Sequence, residues 1–128
     1  MADSVIPPRV GRLVVERLPT VVHVEALLLL RHHGEEALDM AVLAADLFID
    51  ARAARRVVED LVAHGLVHAA SPEGPVRYAP ESAEIRAAVD ELAEVHRTRL
   101  IPLSRFIHER AEARSIENFA NAFRLRKD

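Results

Sequence analysis

The segment from Leu43 to Val67 constrains the fold of this chain more than any other stretch of its 128 residues. It reads as a short helix, a turn at Ile49 and Asp50, a second helix, and a glycine stop that leads into a strand. In the second helix, apolar residues recur at helical spacing and predict one buried stripe. That stripe consists of Ala51, Ala54, Val58 and Leu61. Two helices joined by a tight turn predict a helix-turn-helix.

Short signals on either side predict where these helices begin and end. Asp39 and Asp50 are predicted N-caps, because a carboxylate can accept hydrogen bonds from the free N–H groups of a first helical turn. Gly65 is predicted to end the second helix in a left-handed conformation. Residues 71–75 form a dense turn signal between two apolar runs, so a hairpin follows. Its strands are predicted at 66–69 and 76–79.

The chain before this motif is also predicted to be helical. Residues 10–18 suit a short helix, which Pro19 closes. Thr20 is then the predicted N-cap of a buried helix over 21–32. His23 and Glu25 are assigned to the solvent side of that helix.

After Pro80, a long helical pattern carries an apolar face that the helix-turn-helix and its hairpin have no evident means of burying. Pro102, beside a polar patch at 96–99, predicts a kink or a split. A separate amphipathic segment is predicted around Ile116, Phe119 and Phe123. Because such a face needs cover, a homodimer is predicted. The predicted interface consists of Ile85, Val89, Leu92, Leu103, Phe106 and Ile107.

These elements predict a mainly α fold: a winged helix-turn-helix with a small β-hairpin wing and additional C-terminal helices. Half of the residues are apolar, so the chain can bury a core. The predicted organisation is an N-terminal tail and short helix at 1–20, the winged domain at 21–80, and a dimerising helical region at 81–128. The longest apolar run is too short to span a membrane. No signal peptide is visible, so a cytoplasmic location without a membrane partner is expected.

The residue types exclude several kinds of chemistry. The chain has no cysteine, which excludes disulfides, thiolate metal sites and a cysteine nucleophile. Its seven histidines lack the spacing of a metal motif. No phosphate loop, nucleophile elbow or diagnostic acid pair is present. No enzyme activity, catalytic residue, cofactor or metal is therefore expected.

Three arginines crowd the start of the second helix of the motif. From Asp50 to Arg56, Arg52, Arg55 and Arg56 stand against a single acid. Cations near a helix N-terminus face the positive end of its dipole, which is unfavourable by about 0.3–1 kcal/mol each. Residues chosen for stability alone would not be placed there. We interpret the three arginines, with Ala53 between them and Arg77 on the second strand, as a DNA-binding set.

The alternative interpretation is a solvated helix face with ordinary ion pairs. Arg55 and Glu59 are spaced i, i+4, as are Arg56 and Asp60. The basic residue comes first in both pairs, which is the weaker orientation. The chain's net charge of −3 also counts against a purely electrostatic nucleic-acid binder.

The motif resembles the winged-helix domain of bacterial transcriptional regulators of the MarR-like type. The residues that carry the resemblance lie within 21–80: Leu43, Ala44, Leu47, Asp50, Ala54, Arg56, Val58, Leu61, and the run His64, Gly65, Leu66, Val67. The sequence departs from the pattern at Phe48, where the turn often has glycine, and at Glu73, where a wing tip is often basic. The resemblance implies a homodimeric regulator that binds double-stranded DNA. The alternative is a winged-helix module that docks on another regulatory protein and does not bind DNA, which Glu73 and the acidic balance favour.

Overall fold

The computed structural model describes the backbone of residues 6–126 and the side chains of residues 6–113. Over this part of the chain, helices dominate and one two-stranded antiparallel sheet is present. The elements are α1 (Pro8–Arg17), α2 (Val21–His32), α3 (Met40–Leu47), α4 (Ala51–Ala63), β1 (Val67–Ala69), β2 (Val76–Tyr78), α5 (Ala83–Thr98) and α6 (Leu100–Arg126). This is the winged helix-turn-helix fold predicted from the sequence, with α3 and α4 as its two helices and the hairpin as its wing.

Two of the predicted side-chain caps form. The Thr20 hydroxyl accepts a hydrogen bond from the N–H of His23 at 3.4 Å, and the Asp50 carboxylate accepts one from the N–H of Ala53 at 2.7 Å. These bonds satisfy donors that the first turns of α2 and α4 leave free. Asp39 occupies the cap position of α3, but its side chain makes no capping hydrogen bond, so that part of the prediction was wrong.

Gly65 ends the helical region of α4 as predicted. Its φ of +72° lies in the left-handed region, which glycine adopts without the steric penalty of a Cβ atom. The N–H of Leu66 then donates to the carbonyl of Leu61 at 3.0 Å. The chain therefore leaves α4 and enters β1 within three residues.

The wing has three hydrogen-bonded segments rather than two. In the hairpin, His68 lies opposite Arg77, and both side chains are exposed. On the other edge of β2, Leu38 and Val76 exchange backbone hydrogen bonds of 2.8 and 2.9 Å. This bridge, which the sequence did not suggest, links the segment before α3 to the wing and fixes the hairpin against the helix-turn-helix.

The buried stripe of α4 differs from the predicted one at its start. Ala54, Val58 and Leu61 are buried as expected, and Val57 is buried with them. Ala51 is exposed, because it is the first residue of α4 and precedes the turns that α2 and α3 cover.

The apolar face of α5 and α6 is buried within its own chain. The two helices pack against each other and against α1, and these contacts close over the face. The prediction that a second copy buries these residues was therefore wrong for the four that lie in the core: Val89, Leu92, Leu103 and Ile107, none more than 2% exposed. Ile85 and Phe106 are half-buried and pack against the same core.

The long C-terminal pattern splits into two helices, as predicted. α5 ends at Thr98 and α6 begins at Leu100, so Arg99 is the break. Pro102 lies in the first turn of α6, where its missing N–H removes no helical hydrogen bond. The expected separate final segment is absent, since α6 continues as one helix to Arg126. The side chains of Ile116, Phe119 and Phe123 lie outside the described ones.

None of the helices within residues 6–126 has both the length and the apolar character that a bilayer span requires.

Candidate nucleic-acid interface

Arg52 and Arg56 form a basic pair on the outer face of α4. They are spaced i, i+4, so they lie one turn apart on the same side of the helix. Both side chains are exposed, and neither has a hydrogen-bond or ion-pair partner among the described residues. Two unpaired guanidinium groups at the start of α4 can therefore contact an anionic ligand without breaking an internal bond.

Arg55, the third arginine of the predicted set, is already paired. Its Nη2 lies 2.6 Å from Oε1 of Glu73 at the tip of the wing. Its Nε is buried and has no hydrogen-bond partner among the described residues. The sequence had suggested Glu59 as the alternative partner, but the wing brings Glu73 to Arg55 instead. Arg55 therefore differs from Arg52 and Arg56, because its guanidinium is in an ion pair and theirs are not.

The second ion pair considered from the sequence, between Arg56 and Asp60, is also absent. Oδ2 of Asp60 lies 2.8 Å from Nε2 of His23, and Nδ1 of His23 lies 2.6 Å from the Thr20 hydroxyl. His23 is only 6% exposed, so its assignment to the solvent side of α2 was wrong. The reason is that α4 packs on that side of α2. This chain of hydrogen bonds fixes α4 relative to the start of α2.

The other two predicted contact residues occupy different settings. Ala53 is half-buried and presents only a methyl group beside the arginines. Arg77 is exposed on β2 and has no ion-pair or hydrogen-bond partner among the described side chains. It lines a cleft together with residues of α2 and α5 rather than of α4.

The turn between α3 and α4 holds an unusual residue for its geometry. Phe48 adopts φ 57° and ψ 42°, the left-handed conformation that glycine favours. A residue with a Cβ atom adopts it at a penalty of about 1–2 kcal/mol. The ring is 94% exposed, so no burial of the side chain offsets that penalty. The departure seen in the sequence thus leaves the turn intact and places an aromatic ring at its tip.

Several histidines pair with carboxylates of the same chain. Nε2 of His96 lies 2.8 Å from Glu25, which joins α5 to α2, and Nδ1 of His33 lies 3.5 Å from Glu36. Among the residues that the structure describes, no cluster of three or more metal-ligating side chains is present.

Comparison with known proteins supports the fold. No family model matches the sequence, and no curated protein matches it. The structure is similar to the crystal structure of RV1404 from Mycobacterium tuberculosis, with a TM-score of 0.52. The match has 21% sequence identity and covers 94% of this chain and 82% of that one. A likeness at this identity shows the fold alone. The resemblance to MarR-like regulators stays a prediction.

Proposed function

We propose that this protein is a transcriptional regulator that binds double-stranded DNA, with α4 lying in the major groove. The observation that carries the proposal is the pair of exposed, unpaired guanidinium groups of Arg52 and Arg56 at the start of α4. In helix-turn-helix proteins the second helix presents its N-terminal residues to the bases. Arginine suits this role, because its donors match phosphate oxygens and the guanine edge.

The position of Arg52 and Arg56 on α4 is better explained by binding to an anionic partner than by a contribution to the stability of the helix. Arg52 lies in the first turn of α4, where it meets the positive end of the helix dipole, and Arg56 lies one turn further on. Neither guanidinium pairs with a described carboxylate. A DNA phosphate or a guanine edge would supply the missing acceptor. Arg77 on the wing is the proposed third DNA contact. Arg55 is not counted among the contacts, because its guanidinium is paired with Glu73.

The proposal includes a homodimer in the cytoplasm. A single helix reads only a few base pairs, whereas two copies related by a two-fold axis read half-sites about 34 Å apart. Four of the six interface residues predicted from the sequence lie in the core, so the proposed dimer needs a different surface. Leu100 and Ile101, which are 48% and 71% exposed at the start of α6, offer exposed apolar side chains for it.

Selection from a random duplex library, followed by fluorescence anisotropy with the selected sequence, tests DNA binding. Arg52→Ala and Arg56→Ala are each expected to weaken binding by about 1–3 kcal/mol. Arg12→Ala is the matched control, since Arg12 is an exposed arginine on α1. Wild-type affinity is expected to fall steeply as salt rises, because bound phosphates release counterions. Failure to select any duplex with salt-sensitive binding contradicts the proposal.

The alternative function is docking on another regulatory protein without DNA binding. Phe48 favours it, because an aromatic ring that is 94% exposed suits a protein surface better than a phosphate backbone. Phe48→Ala is expected to leave DNA affinity unchanged if α4 binds DNA as proposed.

A further inference from the structure

A cleft of about 540 Å³ lies at the base of the wing, where α2, β2 and α5 meet. Its volume is within the range of about 300–1,000 Å³ that small-molecule sites occupy. None of the described lining residues belongs to α4. The polar lining residues used below are Arg31, Tyr78, Arg86 and Asp90.

The hydroxyl of Tyr78 is the first sign that the cleft is a binding site. Tyr78 is only 7% exposed, and its Oη is buried without a hydrogen-bond partner among the described residues. The charges that act on this hydroxyl are those of Asp90, Arg86 and Arg31, which all line the cleft. Tyr78 and these three groups therefore belong to the lining of one cleft.

The protonation state of Tyr78 determines what it can bind. Burial, and then the negative charge of Asp90, raise the pKa of the phenol above its ordinary value. The hydroxyl therefore keeps its proton at neutral pH and is available as a hydrogen-bond donor. Since buried polar groups are nearly always paired, the partner expected here is an acceptor.

Two arginines, Arg31 and Arg86, place positive charge in the lining of the cleft. Nε of Arg31 lies 3.0 Å from Oδ1 of Asp90, so this acid is already paired. Cζ of Arg86 lies 5.5 Å from the centre of the Tyr78 ring, and Arg86 has no carboxylate partner among the described residues. The guanidinium of Arg86 therefore lies over the ring of Tyr78, and neither that cation nor the Tyr78 hydroxyl has a described hydrogen-bond acceptor.

We propose that this cleft binds a small free oxyanion, a carboxylate or a phosphate compound, through the guanidinium of Arg86 and the hydroxyl of Tyr78. Arginine binds both kinds of anion in a bidentate manner, and a phenol donates to either. The volume of the cleft allows an organic anion rather than a bare ion. Arg77, the proposed wing contact to DNA, also lines this cleft, but Arg86 and Tyr78 lie outside the proposed DNA-binding set. The two proposals are therefore tested through different residues.

The chain provides its own probe for this site. It has one tyrosine and no tryptophan, so its intrinsic fluorescence reports on Tyr78 alone. Purified full-length protein is titrated separately with sodium phosphate and sodium succinate, each against sodium chloride at the same ionic strength. A saturable change with phosphate or succinate, and none with chloride, is expected. The anion that produces it identifies the source as a phosphate or a carboxylate compound.

Variants connect the response to the cleft. Arg86→Ala is expected to weaken the apparent affinity at least tenfold, and Arg86→Lys to weaken it less, since the charge remains. Arg12→Ala, on α1, is expected to leave the affinity unchanged. Tyr78→Phe removes the fluorophore, so it is followed by the anion-dependent rise in melting temperature, which is expected to shrink. The absence of a saturable response to both anions, or an undiminished response in Arg86→Ala, overturns the proposal.

Discussion

The guanidinium of Arg55 on α4 lies 2.6 Å from the carboxylate of Glu73 at the tip of the wing, 18 residues further along the chain. The two side chains are 43% and 74% exposed, so the pair adds little to stability. The carboxylate of Glu73 occupies the guanidinium of Arg55, as a phosphate oxygen could. If α4 binds DNA as proposed, Glu73 and a DNA phosphate would compete for Arg55.

Glu73→Gln is expected to raise affinity for the selected duplex by up to about fivefold, since an exposed pair of this kind is worth about 0.2–1 kcal/mol. The substitution removes the negative charge at the wing tip and leaves Arg55 only a weaker, neutral acceptor. Fluorescence anisotropy measures the change, and Glu109→Gln, an exposed position on α6, controls for net charge. An equal gain in both variants would show that only overall charge matters.

Leu61→Ala is expected to lower the free energy of unfolding by about 2–5 kcal/mol, as large-to-small changes in a core do. Leu61 is 0% exposed, whereas the adjacent Val62 is 42% exposed. Urea denaturation of Leu61→Ala, with Val62→Ala as its control, tests the orientation of α4. Similar losses in the two variants would mean that the arginines do not face outward as described.

Tyr78 is expected to ionise at a higher pH in the native protein than in urea. Burial raises the pKa of the folded phenol above its ordinary value of about 10, and Asp90 raises it further. The resulting stability is present below pH 10 and is lost as pH rises through the folded pKa. Tyrosinate absorbance follows this one tyrosine directly. Asp90→Asn is expected to lower the pH at which native Tyr78 is half ionised, and Arg86→Ala is expected to raise it. If Tyr78 ionises at the same pH in native and denatured protein, the phenol is not buried as described.

Wild-type protein is expected to sediment as a dimer at micromolar concentration, and Ile101→Glu as a folded monomer. Ile101 is 71% exposed, so a charge there disturbs an interface without entering the core. His108→Glu, at an exposed position on the same helix, is the control. Leu103→Glu should instead unfold the chain, because Leu103 is 1% exposed. Analytical ultracentrifugation with circular dichroism separates these results, and a monomeric wild type refutes the dimer.

Local signals predicted most of the fold, because they act over a few residues. The Asp50 cap, the left-handed Gly65 and the turn at 71–75 lie beside the elements that they bound. The contacts of Arg55 and His23 could not be predicted in this way, since their partners lie 18 and 37 residues away. The approach of those partners depends on how the wing and α2 pack.

The apolar face of the C-terminal helices shows a second limit of sequence patterns. The spacing of Leu92, Leu103 and Ile107 indicates correctly that this face is buried. It carries no information about which surface covers it, because a neighbouring helix and a second copy satisfy the same pattern. Four of the six residues of the predicted interface are covered by their own chain, and dimerisation itself stays a prediction.

The hydrophobic core is shared between the helix-turn-helix and the C-terminal helices, and this affects how the protein unfolds. Leu61 of α4, Leu92 of α5 and Leu103 of α6 belong to one cluster of buried side chains. A fragment that ends before α5 would expose the buried side chains of α4 that belong to this cluster. Melting is therefore expected to be a single cooperative event, in which α4 persists only while the C-terminal helices remain folded.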